Sequence, residues 1–145
     1  MSTIQEILKT KGEHIHAVQP DATVLKATHL MNEQKVGAVV VIENERMVGV
    51  FTERDVLRRV VAAEKIPAET LVRDVMTTAV VCCKPETEIE EARGVMKNRR
   101  IRHLPVMDDD GKLLGLISIG DLNAYKTDDQ ESTIYMLQEY LHGRV

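Results

Sequence analysis

The sequence contains an internal repeat, because it matches itself when it is shifted by about 65 positions. The residues that coincide include Pro20 and Pro85, Ala27 and Ala92, Met31 and Met96 and, after one extra residue in the second copy, Gly49 and Gly115, Thr52 and Ser118, and Asp55 and Asp121. Chance would align some apolar residues, but here proline, glycine and aspartate keep the same order as well. Such a repeat is typical of two copies of one supersecondary unit that pack on each other.

Each copy predicts the element order β-α-β-β-α. For the first copy, the pattern predicts a short strand at 15–18, a helix that starts at the 20–23 turn, strands at 36–42 and 47–51, and a helix from Thr52. For the second copy, it predicts a strand at 79–83, a helix at 86–97, strands at 101–107 and 113–117 around a turn at 108–111, and a helix from Ser118. The helices are predicted from apolar residues three and four positions apart, and the central strands from continuous β-branched runs.

A single copy of about 60 residues buries too little apolar surface to be comfortably stable alone. We therefore expect an α/β (α+β) fold in which the two repeats pack through their sheets with pseudo-two-fold symmetry. The expected boundaries are 8–64 for the first repeat, 71–126 for the second, and 127–145 for a helical extension at the carboxyl terminus. The extension is predicted from Ile134, Leu137 and Leu141, which share one side of a helix.

Composition and charge argue against several classes of protein. The formal net charge is -4, and the only aromatic residues are three tyrosines and one phenylalanine. Nucleic acids and anionic membranes favour basic surfaces and, for single strands, stacking rings, so neither is an expected partner. The first eleven residues contain charges and no long apolar stretch, which favours a cytoplasmic protein without a signal peptide or membrane span. Cys82 and Cys83 are adjacent, so we expect reduced thiols.

Neither a metal site nor a catalytic group is predicted. His14 and His16 alternate on one strand face, but no carboxylate or thiol nearby completes a metal site. The aspartates at 108–110 precede Gly111 between two strands, which indicates a hairpin turn. The sequence contains no recognisable catalytic triad, phosphate-binding loop or dinucleotide fingerprint. We therefore do not expect an enzyme.

The strongest candidate for a functional site is a repeated segment that runs from a strand into a helix. The two copies are Gly49-Val50-Phe51-Thr52-Glu53-Arg54-Asp55 and Gly115-Leu116-Ile117-Ser118-Ile119-Gly120-Asp121. One interpretation is a capping box, in which the hydroxyl and the acid bind free backbone N–H groups at a helix start. The other is a ribose site, in which the carboxylate accepts hydrogen bonds from vicinal hydroxyls. The duplication favours the second interpretation, as does Gly120, a poor helix former beside the acid.

This pattern resembles a tandem pair of CBS domains, the two-repeat regulatory module often called a Bateman module, over roughly residues 8–124. The resemblance is carried by the duplicated Gly-x-x-Thr/Ser-x-x-Asp segments, by Pro20 and Pro85, and by the strand Arg102-His103-Leu104-Pro105-Val106. It implies a binding module for adenosine-containing ligands such as AMP, ATP, NAD(H) or S-adenosylmethionine. The ligands would occupy up to two clefts between the repeats, with no metal.

The resemblance also implies roles for individual residues. Asp55 and Asp121 would bind the two riboses, and Thr52, Ser118, Arg54, Gly120, Arg102 and His103 would lie beside ribose or phosphate. Adenine would lie against Val36, Gly37 and Ala38 in one cleft and against Ile101 and Arg102 in the other. Further candidate contacts from the opposite repeat are Lys11, Gly12, His16, Thr77 and Val81.

Arg102 and His103 distinguish the second copy electrostatically, because the first copy has Gly37 and Ala38 at these positions. An arginine on a buried strand requires a partner for its charge. A ligand phosphate is one such partner, and an acidic residue of the other repeat is the alternative.

The leading functional hypothesis is a homodimeric sensor that binds an adenine nucleotide and signals to an unidentified effector protein. The apolar helix faces at 56–61 and 122–125 are candidate dimer surfaces, with packing inside the chain as the alternative. The other hypothesis is a CBS scaffold that binds no ligand and acts in dimerisation and protein interaction.

Overall fold

The computed structural model describes residues 2–12 and 14–125. The helices are α1 (Ile4–Lys11), α2 (Val24–Gln34), α3 (Glu53–Asp55, continued as a π-helix over Val56–Val61), α4 (Val72–Val75), α5 (Ile89–Arg99) and α6 (Ile119–Ala124), and a 3-10 turn covers Pro67–Glu69. The strands are β1 (Ala17–Val18), β2 (Ala38–Glu43), β3 (Arg46–Thr52), β4 (His103–Met107) and β5 (Leu113–Ser118). The predicted helical extension at 127–145 lies outside the described residues.

Two small sheets repeat the same hairpin. In the first sheet, β1 pairs with β2 in parallel and β2 pairs with β3 in antiparallel fashion. In the second sheet, β4 pairs with β5 in antiparallel fashion. Both hairpins have a register shift at the same repeat position, after Val41 in one and after Val106 in the other. The predicted α/β class and the duplication of its β-hairpin are therefore confirmed.

Several elements differ from the prediction, since the strands predicted from 15, 36 and 101 begin at Ala17, Ala38 and His103. The segment 79–83 does not form a strand, because it crosses from one sheet to the other: Thr77 bridges Val50 of the first sheet, and only Cys83 bridges Val106 of the second. The helix predicted from residue 86 begins at Ile89. Its first three predicted residues belong to a turn, in which the N–H of Thr87 donates to the carbonyl of Lys84.

Helix α3 does not bury the whole apolar side that the sequence predicts. Val60 is fully buried, but Leu57 is 62% exposed and Val61 is 60% exposed. The helix widens into a π-helix after Asp55, which turns these two side chains away from the core. An apolar strip of α3 is therefore left on the surface of the chain.

The core consists of two clusters, and each cluster is completed by a helix that precedes the other repeat. Ile4 and Ile7 of α1 are buried among residues of the second repeat. Val72 and Val75 of α4 are buried among residues of the first repeat. The two repeats thus exchange helices, which holds the chain together in addition to contacts between neighbours in sequence.

Backbone hydrogen bonds repeat this exchange in both directions. The N–H of Ile4 donates to the carbonyl of Thr87 at 2.9 Å, and the N–H of Val72 donates to that of Ala22 at 2.8 Å. Thr87 and Ala22 lie at equivalent positions of the two copies. The exchange of helices between the repeats is therefore reciprocal. Among the described residues, no helix combines the length and the apolar composition needed to cross a bilayer.

Candidate functional site

Asp55 is the one buried charged residue in the described part of the chain, at 5% exposure. It lies in the first turn of α3 and completes a capping box with Thr52, whose N–H donates to Asp55 Oδ2 at 3.0 Å. The hydroxyl of Thr77, from the other repeat, donates to Asp55 Oδ1 at 3.0 Å. Arg59 Nε lies 3.6 Å from the same oxygen. The carboxylate thus has partners from both repeats, which a helix cap alone does not require.

Asp121 forms the equivalent capping box with Ser118, whose N–H donates to Asp121 Oδ2 at 2.8 Å. Its partner from the opposite end of the chain is the ammonium group of Lys11, which lies 2.7 Å from the same oxygen. Lys11 also donates to the carbonyl of Leu116 at 2.6 Å. The Asp121 side chain is 25% exposed, so it is more accessible to water than that of Asp55.

A cavity of about 420 Å³ opens beside Asp55, between the two repeats. It contains eight of the residues singled out in the sequence, namely Thr52, Arg54, Asp55, Thr77, Val81, Ile101, Arg102 and His103. The first three come from the first repeat and the other five from the second. We name this cavity the Asp55 cleft. Residues that are far apart in sequence therefore meet around the first aspartate.

The other predicted residues do not line the Asp55 cleft. Those around the second aspartate are Lys11, Gly12, Ser118, Gly120 and Asp121, and the remaining ones are His16, Val36, Gly37 and Ala38. Gly37 packs against Glu53, because a Cβ at this position would lie 3.1 Å from Glu53 Oε1. Ala38 is buried in the ladder opposite Thr52. We name the region around Asp121 and Lys11 the Asp121 cleft.

Arg102 requires a correction to the prediction. It precedes β4 and its side chain is exposed, so it does not sit on a buried strand. Water solvates the guanidinium, and its charge therefore needs neither a phosphate nor an ion pair for stability. Its position on the wall of the Asp55 cleft still brings it within the site.

His103 is half-buried at the start of β4, where it lines the Asp55 cleft and pairs with Ser118 across the ladder. Burial lowers the pKa of His103 below its ordinary value of 6.5. The carboxylates of Glu53 and Asp121 oppose this shift, whereas the charges of Lys11 and Arg102 add to it. The imidazole thus lies within electrostatic reach of both clefts.

The walls of the Asp55 cleft are predominantly basic. Four arginines, Arg54, Arg58, Arg59 and Arg102, face two carboxylates, Glu53 and Asp55, which leaves a net charge of +2 with His103 neutral. Arg59 is held by the carbonyl of Met76 at 2.9 Å. Guanidinium groups match phosphate oxygens in geometry and charge. The cleft therefore combines hydrogen-bond acceptors for hydroxyls with donors for an anion.

Sequence reasoning missed Arg58 and Arg59 as residues of this cleft. Arg59 follows Asp55 by four positions, so helical spacing places both side chains on one face, and this signal was present in the sequence. Arg58 had no such signal, because its direction depends on the π-helix after Asp55.

His14, His16, Cys82 and Cys83 lie outside the Asp55 cleft. The rings of His14 and His16 lie 4.4 Å apart and edge to face. Burial, with the charges of His14 and Lys11, lowers the pKa of His16. Cys82 and Cys83 are free thiols, and burial raises the pKa of Cys83 to about 12. Within residues 2–12 and 14–125, no group of three or more His, Cys, Asp or Glu side chains is placed to hold a metal ion.

Comparison with known proteins gives consistent matches. A family model described as "CBS domain" matches residues 4–62 and 72–127. The CBS domain-containing protein YhcV of Bacillus subtilis is 33% identical over 122 residues, which are 84% of this chain and 84% of that protein. The structure of a protein with CBS domains from Burkholderia ambifaria has a TM-score of 0.80 at 40% identity, over 83% of this chain and 90% of that chain.

Two more distant structures share the fold and contain adenosine compounds. A CBS domain protein from Pyrobaculum aerophilum, complexed with AMP, has a TM-score of 0.75 at 23% identity over 86% of this chain and 92% of its own. The CBS domain pair of protein MJ0100, in complex with 5′-methylthioadenosine and S-adenosyl-L-methionine, has a TM-score of 0.76 at 16% identity over 86% and 94%. With two matched segments that cover most of its length and a fold shared with these proteins, the chain belongs to the CBS-domain family and contains two CBS domains arranged as a pair.

Proposed function

We propose that this chain is a regulatory module that binds a phosphorylated adenosine ligand in the Asp55 cleft and passes the ligand state to an effector protein. AMP, ATP and NAD(H) are the ligands of this class that we consider. The observation that carries the proposal is a buried carboxylate at the wall of a cavity of about 420 Å³ between the repeats. Burying a charge is costly unless it is paired. A buried carboxylate that lines a cavity is therefore typical of a binding site.

The residues of the Asp55 cleft suit the parts of such a ligand. Asp55 would accept the hydroxyls of a ribose, with Thr52 and Thr77 beside it. Adenine would lie against the apolar side chains of Val81 and Ile101. The phosphate would lie near the arginines, of which Arg54 and Arg102 are the two that the sequence predicts.

The charge of the cleft favours a phosphate over other adenosine compounds. Related folds bind AMP in one case, and 5′-methylthioadenosine and S-adenosyl-L-methionine in another. The sulfonium ligand is cationic at sulfur and methylthioadenosine is uncharged, so neither complements walls with a net charge of +2. We therefore propose AMP, ATP or NAD(H) before the sulfur compounds for this chain.

We further propose that the protein is cytoplasmic, is not an enzyme and acts as a homodimer. We propose neither nucleic acid nor a membrane as a partner. The exposed Leu57 and Val61 of α3 support the homodimer, because exposed aliphatic residues that lie together are typical of interfaces. The proposed domain boundaries are 8–64 and 71–126, with 127–145 as an extension. A scaffold that dimerises without a ligand is the alternative, and the same exposed strip favours it.

Thermal unfolding with AMP, ADP, ATP, NAD, NADH, adenosine and S-adenosylmethionine tests the proposal. A ligand at 100 times its Kd stabilises the native state by about 2.7 kcal/mol, which raises the Tm of a chain of this size by roughly 5 to 10 °C. We expect this shift with a phosphorylated ligand and not with adenosine or S-adenosylmethionine at the same concentration. Asp55→Asn should remove the shift, whereas Asp21→Asn, at an exposed turn, is the matched control. No shift with any compound would favour the scaffold.

A further inference from the structure

Thr77 and Lys11 each contact one of the two repeated aspartates. The backbone of Thr77 is paired with Val50, and its hydroxyl donates to Asp55. The ammonium group of Lys11 donates to the carbonyl of Leu116 and to Asp121. Val50 and Leu116 are equivalent residues of the repeat. Each aspartate is therefore contacted by the segment that precedes the opposite repeat, through a hydroxyl in one cleft and an ammonium group in the other.

The two contacts have different consequences for ligand binding. The Thr77 hydroxyl is neutral and can rotate, and the cation nearest to Asp55, Arg59 Nε, lies 3.6 Å from Oδ1, so a ribose hydroxyl can take the place of Thr77. The Lys11 ammonium lies 2.7 Å from Asp121 Oδ2, on the oxygen that already accepts from the Ser118 N–H. The Lys11 side chain is 36% exposed, so water screens this ion pair, but a second hydrogen bond, to the carbonyl of Leu116, also holds the ammonium group beside Asp121. A ribose would have to displace it.

Helix α1 holds Lys11 at this position. Ile4 is fully buried and Ile7 is 4% exposed, both in the core of the second repeat. Leu8 covers Gly115, where a Cβ would lie 2.7 Å from its side chain. Lys11 is the last residue of this anchored helix, so the ammonium group is tethered beside Asp121 at a high effective concentration.

We propose that Lys11 substitutes for a ligand in the Asp121 cleft, so that each chain binds one nucleotide, in the Asp55 cleft only. The inference rests on the proposed function. It specifies that the ligand binds in the Asp55 cleft and that Lys11 closes the Asp121 cleft. The residue that contacts each aspartate from the opposite repeat, threonine or lysine, then sets the number of ligands per chain.

Exchanging the two residues tests the proposal, with AMP as the probe and isothermal titration calorimetry as the measurement. The wild-type chain should bind one AMP. Lys11→Thr should bind two, because the second aspartate is released, and Thr77→Lys should bind none, because the first is blocked. Lys9→Thr, which changes an exposed lysine of the same helix, should still bind one. Far-UV circular dichroism shows that each variant is folded, and Lys11→Met replaces Lys11→Thr if that variant is not.

Each other outcome bears on a separate part of the proposal. A second site in Lys11→Thr should disappear in Lys11→Thr/Asp121→Asn, which assigns it to the Asp121 cleft. Two AMP molecules on the wild-type chain, or one on both Lys11→Thr and Lys11→Met, would overturn the inference while the proposed function stands. Loss of all binding in Lys11→Thr would make Lys11 a ligand contact and would also overturn it. A wild-type chain that binds no AMP would overturn both proposals for this nucleotide.

Discussion

Asp55 and Asp121 occupy the same position of a duplicated motif, yet their surroundings differ. Asp55 is buried and accepts from hydroxyls, with Arg59 Nε at 3.6 Å, whereas Asp121 is partly exposed and accepts from an ammonium group. Each nevertheless forms the same capping box with the hydroxyl residue three positions earlier. The capping box and a further contact from the opposite repeat thus coexist at both aspartates, because a carboxylate can accept several hydrogen bonds.

Replacement of Asp55 by alanine is expected to destabilise the protein more than replacement of Asp121. The Asp55→Ala variant leaves the half-buried Thr52 N–H and Thr77 hydroxyl without their acceptor, and an unsatisfied buried group costs about 1–3 kcal/mol. In Asp121→Ala, water reaches the released N–H, and loss of the cap alone costs about 1 kcal/mol. Urea unfolding of both variants measures the difference. Equal losses in the free energy of unfolding would contradict the role of burial.

His103 is expected to make the protein less stable as the pH falls through 6.5. Its pKa is lowered in the folded chain, mainly by burial, so the unfolded chain takes up a proton first. Stability is therefore complete above pH 6.5 and decreases below it, until the folded imidazole is protonated as well. His103→Gln should flatten the Tm profile between pH 7.5 and 5.5, as measured by thermal unfolding (both pH limits are roughly one unit from the ordinary pKa). An unchanged slope would contradict this assignment, and the profile above pH 7.5 serves as the internal control.

The sequence predicted the residues of the site better than their environment. The motif identified Thr52 and Asp55, and the family resemblance identified Ile101 and His103, all of which meet in one cavity. The predicted burial of Arg102 was wrong. Burial of a residue at a strand end depends on neighbours that are remote in sequence. The contact between Lys11 and Asp121 likewise joins residues 110 positions apart, which no local pattern indicates.

At the scale of elements, the exchange of α1 and α4 between the repeats was not predicted. The signal for α1 was present, because Ile4, Ile7 and Leu8 have helical spacing and Thr3 and Glu6 have that of a capping box. The repeat did not show that α4 corresponds to α1, because the first residues of these helices are 68 positions apart rather than 65. Short helices also depend on distant packing for their stability, and propensity alone does not predict it.

Ile4→Ala tests the importance of this exchange. Ile4 is fully buried in the core of the second repeat, and truncation of such a side chain costs about 2–5 kcal/mol because it leaves a cavity. Urea unfolding followed by circular dichroism should show this loss in one cooperative transition. Leu25→Ala, at a side chain that is 39% exposed, is the control and should cost less. A wild-type-like midpoint for Ile4→Ala would mean that α1 contributes little to the second core.

At the scale of the whole molecule, the duplication predicted most of the architecture. Two equivalent hairpins, with register shifts at equivalent positions, follow from one repeated pattern of apolar residues. The surface that remains exposed does not follow from it, because Leu57 and Val61 belong to the same apolar pattern as the buried Val60. Periodicity identifies apolar positions, but not whether the chain itself or another molecule covers them.

The proposed homodimer assigns this exposed strip to a second copy of the chain. Val61 is 60% exposed and, unlike Leu57, does not line the Asp55 cleft, so its substitution separates association from ligand binding. Size-exclusion chromatography with light scattering should find a dimer for the wild-type chain and a monomer for Val61→Glu, because a carboxylate buried at the interface would be unpaired. Leu25→Glu, on α2, should remain dimeric. If Val61→Glu dimerises as the wild type does, the strip is not the interface; if it is monomeric but still binds AMP, ligand recognition belongs to the single chain.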